Sequence, residues 1–184
     1  MFTLTISEKD FLNSEIIPNG PGYCSFTTQT KTGFRGLKKT VLQPTVQHRA
    51  AAPIVDGSID WRGKTFEIGG KVKNWKVLKH RQGSIFDWHP VREWTWMGHR
   101  YTVKREDNQW MATIHASVSA VFTSRKSHVL SQSEPATIEF TSNVPHEDMV
   151  FLLLVLLWSE HKRLEKKSQT TDAMSEGISA ANSL

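Results

Sequence analysis

The chain has 184 residues, 38% hydrophobic and 22% charged, the length and composition of one folded domain, which excludes global disorder and a chain built mainly of membrane spans. Its single cysteine, Cys24, excludes an intrachain disulfide and a multi-cysteine zinc site, and with no motif around it the thiol is expected to be inert. Net charge is +5, unevenly spread: residues 23–81 hold twelve Lys/Arg against three Asp/Glu, an excess of +9 that leaves −4 for the remainder.

The start, MFTLTISEKDFLNSE, has no basic leader, apolar run and small-residue cleavage site, and no prenylation box ends the chain, so an intracellular protein, cytoplasmic or peripheral to a membrane, is expected. Residues 2–6 alternate Phe2, Leu4 and Ile6 with Thr3 and Thr5, the period of a strand. Residues 16–22 end in a Pro- and Gly-rich loop, and 23–28 resume a β-rich run. Further short strands are expected at 40–43, 51–55, 58–61, 65–68, 71–78, 84–88, 92–97, 100–104, 109–115, 118–123 and 136–140. Trp94 and Trp96 share one face, Met97-Gly98-His99 supplies a turn, and Tyr101 and Val103 resume the alternation, which predicts a hairpin.

The pattern then changes. Ser142 through Asp148 offer a cap, a Pro for the first turn and two carboxylates, the start signals of a helix. Residues 149–158, MVFLLLVLLW, follow, and Lys162, Arg163, Lys166 and Lys167 suit the C-terminal dipole. Ten residues of helix reach about 15 Å against a hydrocarbon core of about 30 Å, so the run is too short to span a bilayer. Being apolar around its whole circumference, it must be wrapped by protein, with Val150, Leu153, Leu154 and Leu157 in the core. Many strands followed by such a helix predict a mainly β, α+β fold, a closed antiparallel barrel wrapped around a helix over about 144–167. Residues 1–167 form one domain in this reading, and the polar stretch 168–184 is expected to be a disordered tail.

In order along the chain, Asn13-Ser14, Tyr23-Cys24-Ser25-Phe26-Thr27, Thr40-Val41-Leu42, Ala52-Pro53-Ile54 with Trp61, Arg92-Glu93-Trp94, Gly98-His99-Arg100-Tyr101, Ala120-Val121-Phe122 and Ala136-Thr137-Ile138-Glu139-Phe140 stand before Asp148–Trp158 and Glu160-His161-Lys162-Arg163. This succession resembles, over nearly the full length, a fungal, mainly mushroom, domain family of unknown function similar to tubby C-terminal-like and scramblase-like domains. Two positions depart from the family's pattern: Val103 stands where a Trp is usual and Ser14 where a Thr is usual. The resemblance implies a barrel of about a dozen strands around a hydrophobic C-terminal helix, and by analogy with tubby proteins a role at phosphoinositides.

No cofactor and no metal is expected. Asp87-Trp88-His89 puts two potential ligands on one face, but nothing nearby completes a zinc site, and no catalytic or phosphate-loop motif occurs. Three functions stay open. One is a non-catalytic module in which Arg35, Lys38, Lys39, Lys71, Lys73, Lys76, Lys79 and Arg81 meet anionic membrane headgroups, phosphoinositides included. Another is a protein-interaction or structural domain with a solvated basic face, nucleic acid lacking any recognised motif. The third is a small-molecule binder with a pocket at Trp88, His89, Trp94 and Trp96.

Overall fold

The apolar run lies within a long C-terminal helix, and every residue from Met149 to Trp158 is buried, Val150, Leu153, Leu154 and Leu157 among them. The structure, a computed structural model, describes residues 1–21, 23–34, 36–45, 55–82, 91–126, 133–141 and 144–181, and of 81–82 and 172–181 the backbone alone. Among these residues thirteen strands precede the helix. They are β1 (Phe2–Ile6), β2 (Ser14–Pro18), β3 (Ser25–Gly33), β4 (Gly36–Thr45), β5 (Gly57–Asp60), β6 (Thr65–Ile68), β7 (Lys71–Asn74), β8 (Lys79–Gln82), β9 (Val91–Trp96), β10 (His99–Glu106), β11 (Gln109–Ile114), β12 (Ser117–Thr123) and β13 (Ala136–Phe140). A one-turn helix, α1 (Trp75–Leu78), separates β7 from β8, and α2 (His146–Ala181) ends the fold.

All the strands form one antiparallel sheet in the order β7-β6-β5-β4-β3-β2-β1-β13-β12-β11-β10-β9-β8. Alternate side chains point inward, Leu4 and Ile6 on β1, Trp94 and Trp96 on β9, Ile138 and Phe140 on β13, and close on α2. The sheet curls until its ends approach: Phe66 of β6 and Trp94 of β9, ten places apart in the strand order, stack with ring centroids 5.7 Å apart. Directions alternate over an odd number of strands, so β7 and β8 run the same way, and no antiparallel ladder can join them. The expected closed barrel is therefore met as a curled sheet with its two ends unpaired. They are joined by chain: Lys71–Asn74 pairs with β6, α1 makes one turn, and Lys79–Gln82 pairs with β9.

Several elements differ from expectation. The stretch 71–78 was expected as one strand, but the Asn74 side chain accepts from the Lys76 N–H and caps α1 there. Residues 14–18 form β2, because Ser14 and Ile16 face inward and pair with β3, although the Pro and Gly that follow mark a loop. Residues 51–54 and 84–88, expected as strands, lie outside the described residues. Helix α2 starts at His146 and runs on through 168–181, where a disordered tail was expected. No Pro interrupts those residues, and the Thr170 and Thr171 hydroxyls donate to the carbonyls of Lys166 and Lys167, four residues back on the helix, at 3.0 Å each. Among the described residues no helix is long and apolar enough to cross a membrane.

Candidate functional site

Two ends of the curled sheet are defined by the direction of α2. Where the apolar run ends, Trp158 is buried and two cations lie over its ring, Lys79 Nζ at 4.7 Å and Arg92 Cζ at 5.5 Å from the centroid. Strand register explains the convergence. Lys79 of β8 pairs with Trp94 of β9, and Arg92 lies two residues before Trp94, hence on the same inward face. One helical turn beyond Trp158, Lys162 Nζ stands 5.9 Å from the Trp61 ring, and the His161 imidazole packs on that ring at 4.7 Å. Burial first, then the charges of Arg92, Lys162 and Lys76, push the Lys79 ammonium below its usual range. Lys79 of β8, Arg92 of β9, Lys76 of α1 and Lys162 of α2 thus share one end of the molecule, Lys162 also pairing with Glu165 at 2.6 Å.

The helix is anchored there by a buried carboxylate. Glu160 accepts from Arg163 Nε and Nη2 at 2.7 Å each and from Trp110 Nε1 at 2.9 Å. Burial pushes the Glu160 carboxyl up, but these hydrogen bonds outweigh it and hold the group below the usual carboxylate range.

The basic residues singled out from the sequence do not form one patch. Lys39 pairs with Glu67 at 3.1 Å, and Lys71 pairs with Glu147 at 3.0 Å. Glu147 stands in the first turn of α2, eleven residues and so about 16 Å from Trp158, which places Lys71 at the opposite end from Lys79. Lys73 lies over Trp96 at 5.6 Å, while Lys38 and Lys76 are exposed. Arg35 and the Arg81 side chain lie outside the described residues, as do Trp88 and His89.

The pocket expected at Trp94 and Trp96 is filled. Both indoles are fully buried, Trp96 stacked on Phe151 at 5.2 Å and Trp94 edge-on to Trp158 at 5.3 Å, because the helix supplies the aromatic surface they pack against. A cleft of about 470 Å³ opens instead near the start of α2, lined by His99, Tyr101, His115, Val118, Thr141 and Pro145 among others. Beside it the buried Asp148 accepts from the Tyr101 hydroxyl at 2.8 Å and is hydrogen-bonded to His99 Nδ1. With Nδ1–H on the carboxylate, His99 keeps Nε2 for an outside partner. Burial and then Asp148 raise the Tyr101 pKa far above its usual value, so the phenol remains a donor. Sequence reasoning missed this trio because its members stand 47 and 49 residues apart; the signal present was a carboxylate set directly against a ten-residue apolar run.

Among the described residues no three His, Cys, Asp or Glu side chains group to hold a metal ion. Cys24 is half-buried, and burial pushes its thiol up, away from the reactive thiolate. Comparison with protein-family models, with curated proteins and with solved structures finds no match to this chain.

Proposed function

We propose that the chain is a non-catalytic binding module of tubby-like plan, in which residues 71–82 act as one split strand completing a barrel and the charged end engages anionic phospholipid headgroups. The observation that carries this reading is the placing of Lys79 and Arg92 over one buried indole with Lys162 a turn away. Burial and the neighbouring charges disfavour the Lys79 ammonium, and an anion beside it relieves that penalty while the Trp158 ring fixes where it stands. Lys38 and Lys76, both exposed, extend the basic surface outward from it.

Vesicle flotation tests the reading. The protein is expected to float with phosphatidylcholine vesicles that contain phosphatidylglycerol or a phosphoinositide, and to stay in solution with phosphatidylcholine alone. Each cation at a charged surface contributes roughly 1 kcal/mol, so Lys38→Glu, Lys76→Glu and Lys79→Gln combined should weaken binding on the order of 100-fold. Lys71→Gln, at the other end and paired with Glu147, should leave it unchanged. Undiminished flotation of the triple variant overturns the reading.

The cleft supports a second reading, a small-molecule binder. His99, oriented by Asp148, offers one directed polar group against a wall that includes Ile114, Val118, Val144 and Pro145. A thermal-shift screen over small metabolites tests it: a hit whose shift persists in His99→Ala is bound elsewhere.

A further inference from the structure

The hairpin of β3 and β4 outgrows the sheet. β3 pairs with β2 no further than Thr28, and β4 is bonded to β5 and the residue after it no further than Lys38, so from Lys31 to Leu37 the two strands are laddered only to each other. Three residues beyond the Lys31–Lys39 pair, about 10 Å out, stands Phe34, wholly exposed. A Phe wholly exposed at the tip of a projecting hairpin gains nothing for the fold, since all of its apolar surface faces solvent.

Its surroundings are cationic. Lys31 and Lys38 are exposed on the same hairpin, and the Arg62 guanidinium lies so close to Gly33 that a Cβ there would sit 2.7 Å from its nitrogen. The carboxylate of Asp60, two residues before Arg62, is engaged by the N–H groups of Arg62 and Gly63 at 3.0 and 2.8 Å. This tip is at the charged end described above: the Trp61 N–H donates to the Lys38 carbonyl at 3.1 Å, and the Trp61 ring carries His161 and Lys162.

We propose that the β3–β4 hairpin is an interfacial anchor, with Phe34 entering the boundary between headgroups and acyl chains of an anionic bilayer while Lys31, Lys38 and Arg62 stay at the level of the phosphates. An exposed aromatic on a hairpin that carries Lys31 and Lys38, with Arg62 beside Gly33, matches that boundary on both counts: the ring leaves water and the cations meet negative charge. The proposal rests on the headgroup reading above and adds to it the part of the chain that enters the lipid.

The test is partition of the full chain onto phosphatidylcholine–phosphatidylglycerol vesicles. Phe34→Ala should weaken binding about tenfold, and Phe34→Trp should bind like the parent, with thermal midpoints unchanged because the site is fully exposed. If Phe34→Ala binds as tightly as the parent while the Lys38, Lys76 and Lys79 variants lose binding, the anchor is overturned and the charged-end reading survives. If the parent itself binds no anionic vesicle, both fall; a soluble protein captured only when Phe34 is present would then be the occupant of the tip.

Discussion

Two carboxylates flank the apolar run of α2, Asp148 just before it and Glu160 just after it, and both are almost wholly buried. Each is tied to the sheet, Asp148 by His99 and Tyr101 of β10 and Glu160 by Trp110 of β11, so the helix is held in register along its axis by polar contacts at both ends. Apolar contacts between the two tolerate sliding; hydrogen bonds to buried charge do not. Glu160→Gln keeps the shape, loses the charge facing Arg163, and should cost about 2 kcal/mol in urea denaturation. The pH dependence has a definite sign. The folded Glu160 carboxyl titrates below its unfolded value, so its contribution is complete above the unfolded pKa of about 4.3 and is lost as pH falls through the folded one. Below about pH 4.3 the parent should therefore lose stability more steeply than Glu160→Gln. Equal slopes would assign the carboxylate no part in acid stability.

Strand β5 packs tightly on α2 at Gly57. At Gly57 an added Cβ would lie 2.8 Å from Val150 Cγ1 and 3.1 Å from Leu154 Cδ1, two methyl groups with no free space behind them. Gly57→Ala should destabilise by about 2 kcal/mol through overpacking, and Val150→Ala should recover part of it, so that the double variant loses less than the sum of the single losses. Additive losses would mean that β5 is not held against that turn. The helix and its burial were legible in the sequence because ten consecutive apolar residues with carboxylates before them and cations after them admit few other solutions. Strands with simple alternation, 2–6, 65–68 and 136–140, were legible for the same reason. What was hidden depended on partners distant in sequence. Residues 71–78 alternate well enough for a strand, and only the switch of partner from β6 to β9 shows why α1 interrupts it. The His99–Asp148–Tyr101 trio and the cations over Trp158 each join segments roughly 50 to 80 residues apart, a separation no local spacing rule spans. The basic stretch was visible as a sum of charge, but its division between two ends is set by strand direction.

Over the whole molecule the charges divide with the axis of α2: the Lys71–Glu147 ion pair and the hydrogen bond of His99 to the buried Asp148 stand at its start, and Lys79, Arg92 and Lys162 gather where the apolar run stops, with Glu160 and Glu165 paired to Arg163 and Lys162 just beyond. Lys79 makes that division measurable in a way that ties folding to binding. Its folded pKa is depressed by burial and by Arg92, Lys162 and Lys76, so the charged ammonium is an unfavourable group in the folded protein. Below its folded pKa that penalty is fully present; as pH rises toward the unfolded value of about 10.4 the amine is freed of its proton and the fold gains stability. Anion binding has the opposite sign, because a phosphodiester is held by the ammonium and not by the amine. Between about pH 7 and 9.4, a unit below the ordinary lysine value, thermal stability should then rise while affinity for phosphatidylglycerol vesicles falls by up to about fivefold, the equivalent of one surface cation at roughly 1 kcal/mol. Phosphatidylglycerol suits the measurement because its headgroup has no group titrating in that window. Over that window Lys79→Gln should flatten both trends and bind at pH 7 more weakly than the parent. If affinity stays level while stability rises, Lys79 titrates as the structure requires but the headgroup is held elsewhere; if both stay level, the cations do not converge on Trp158.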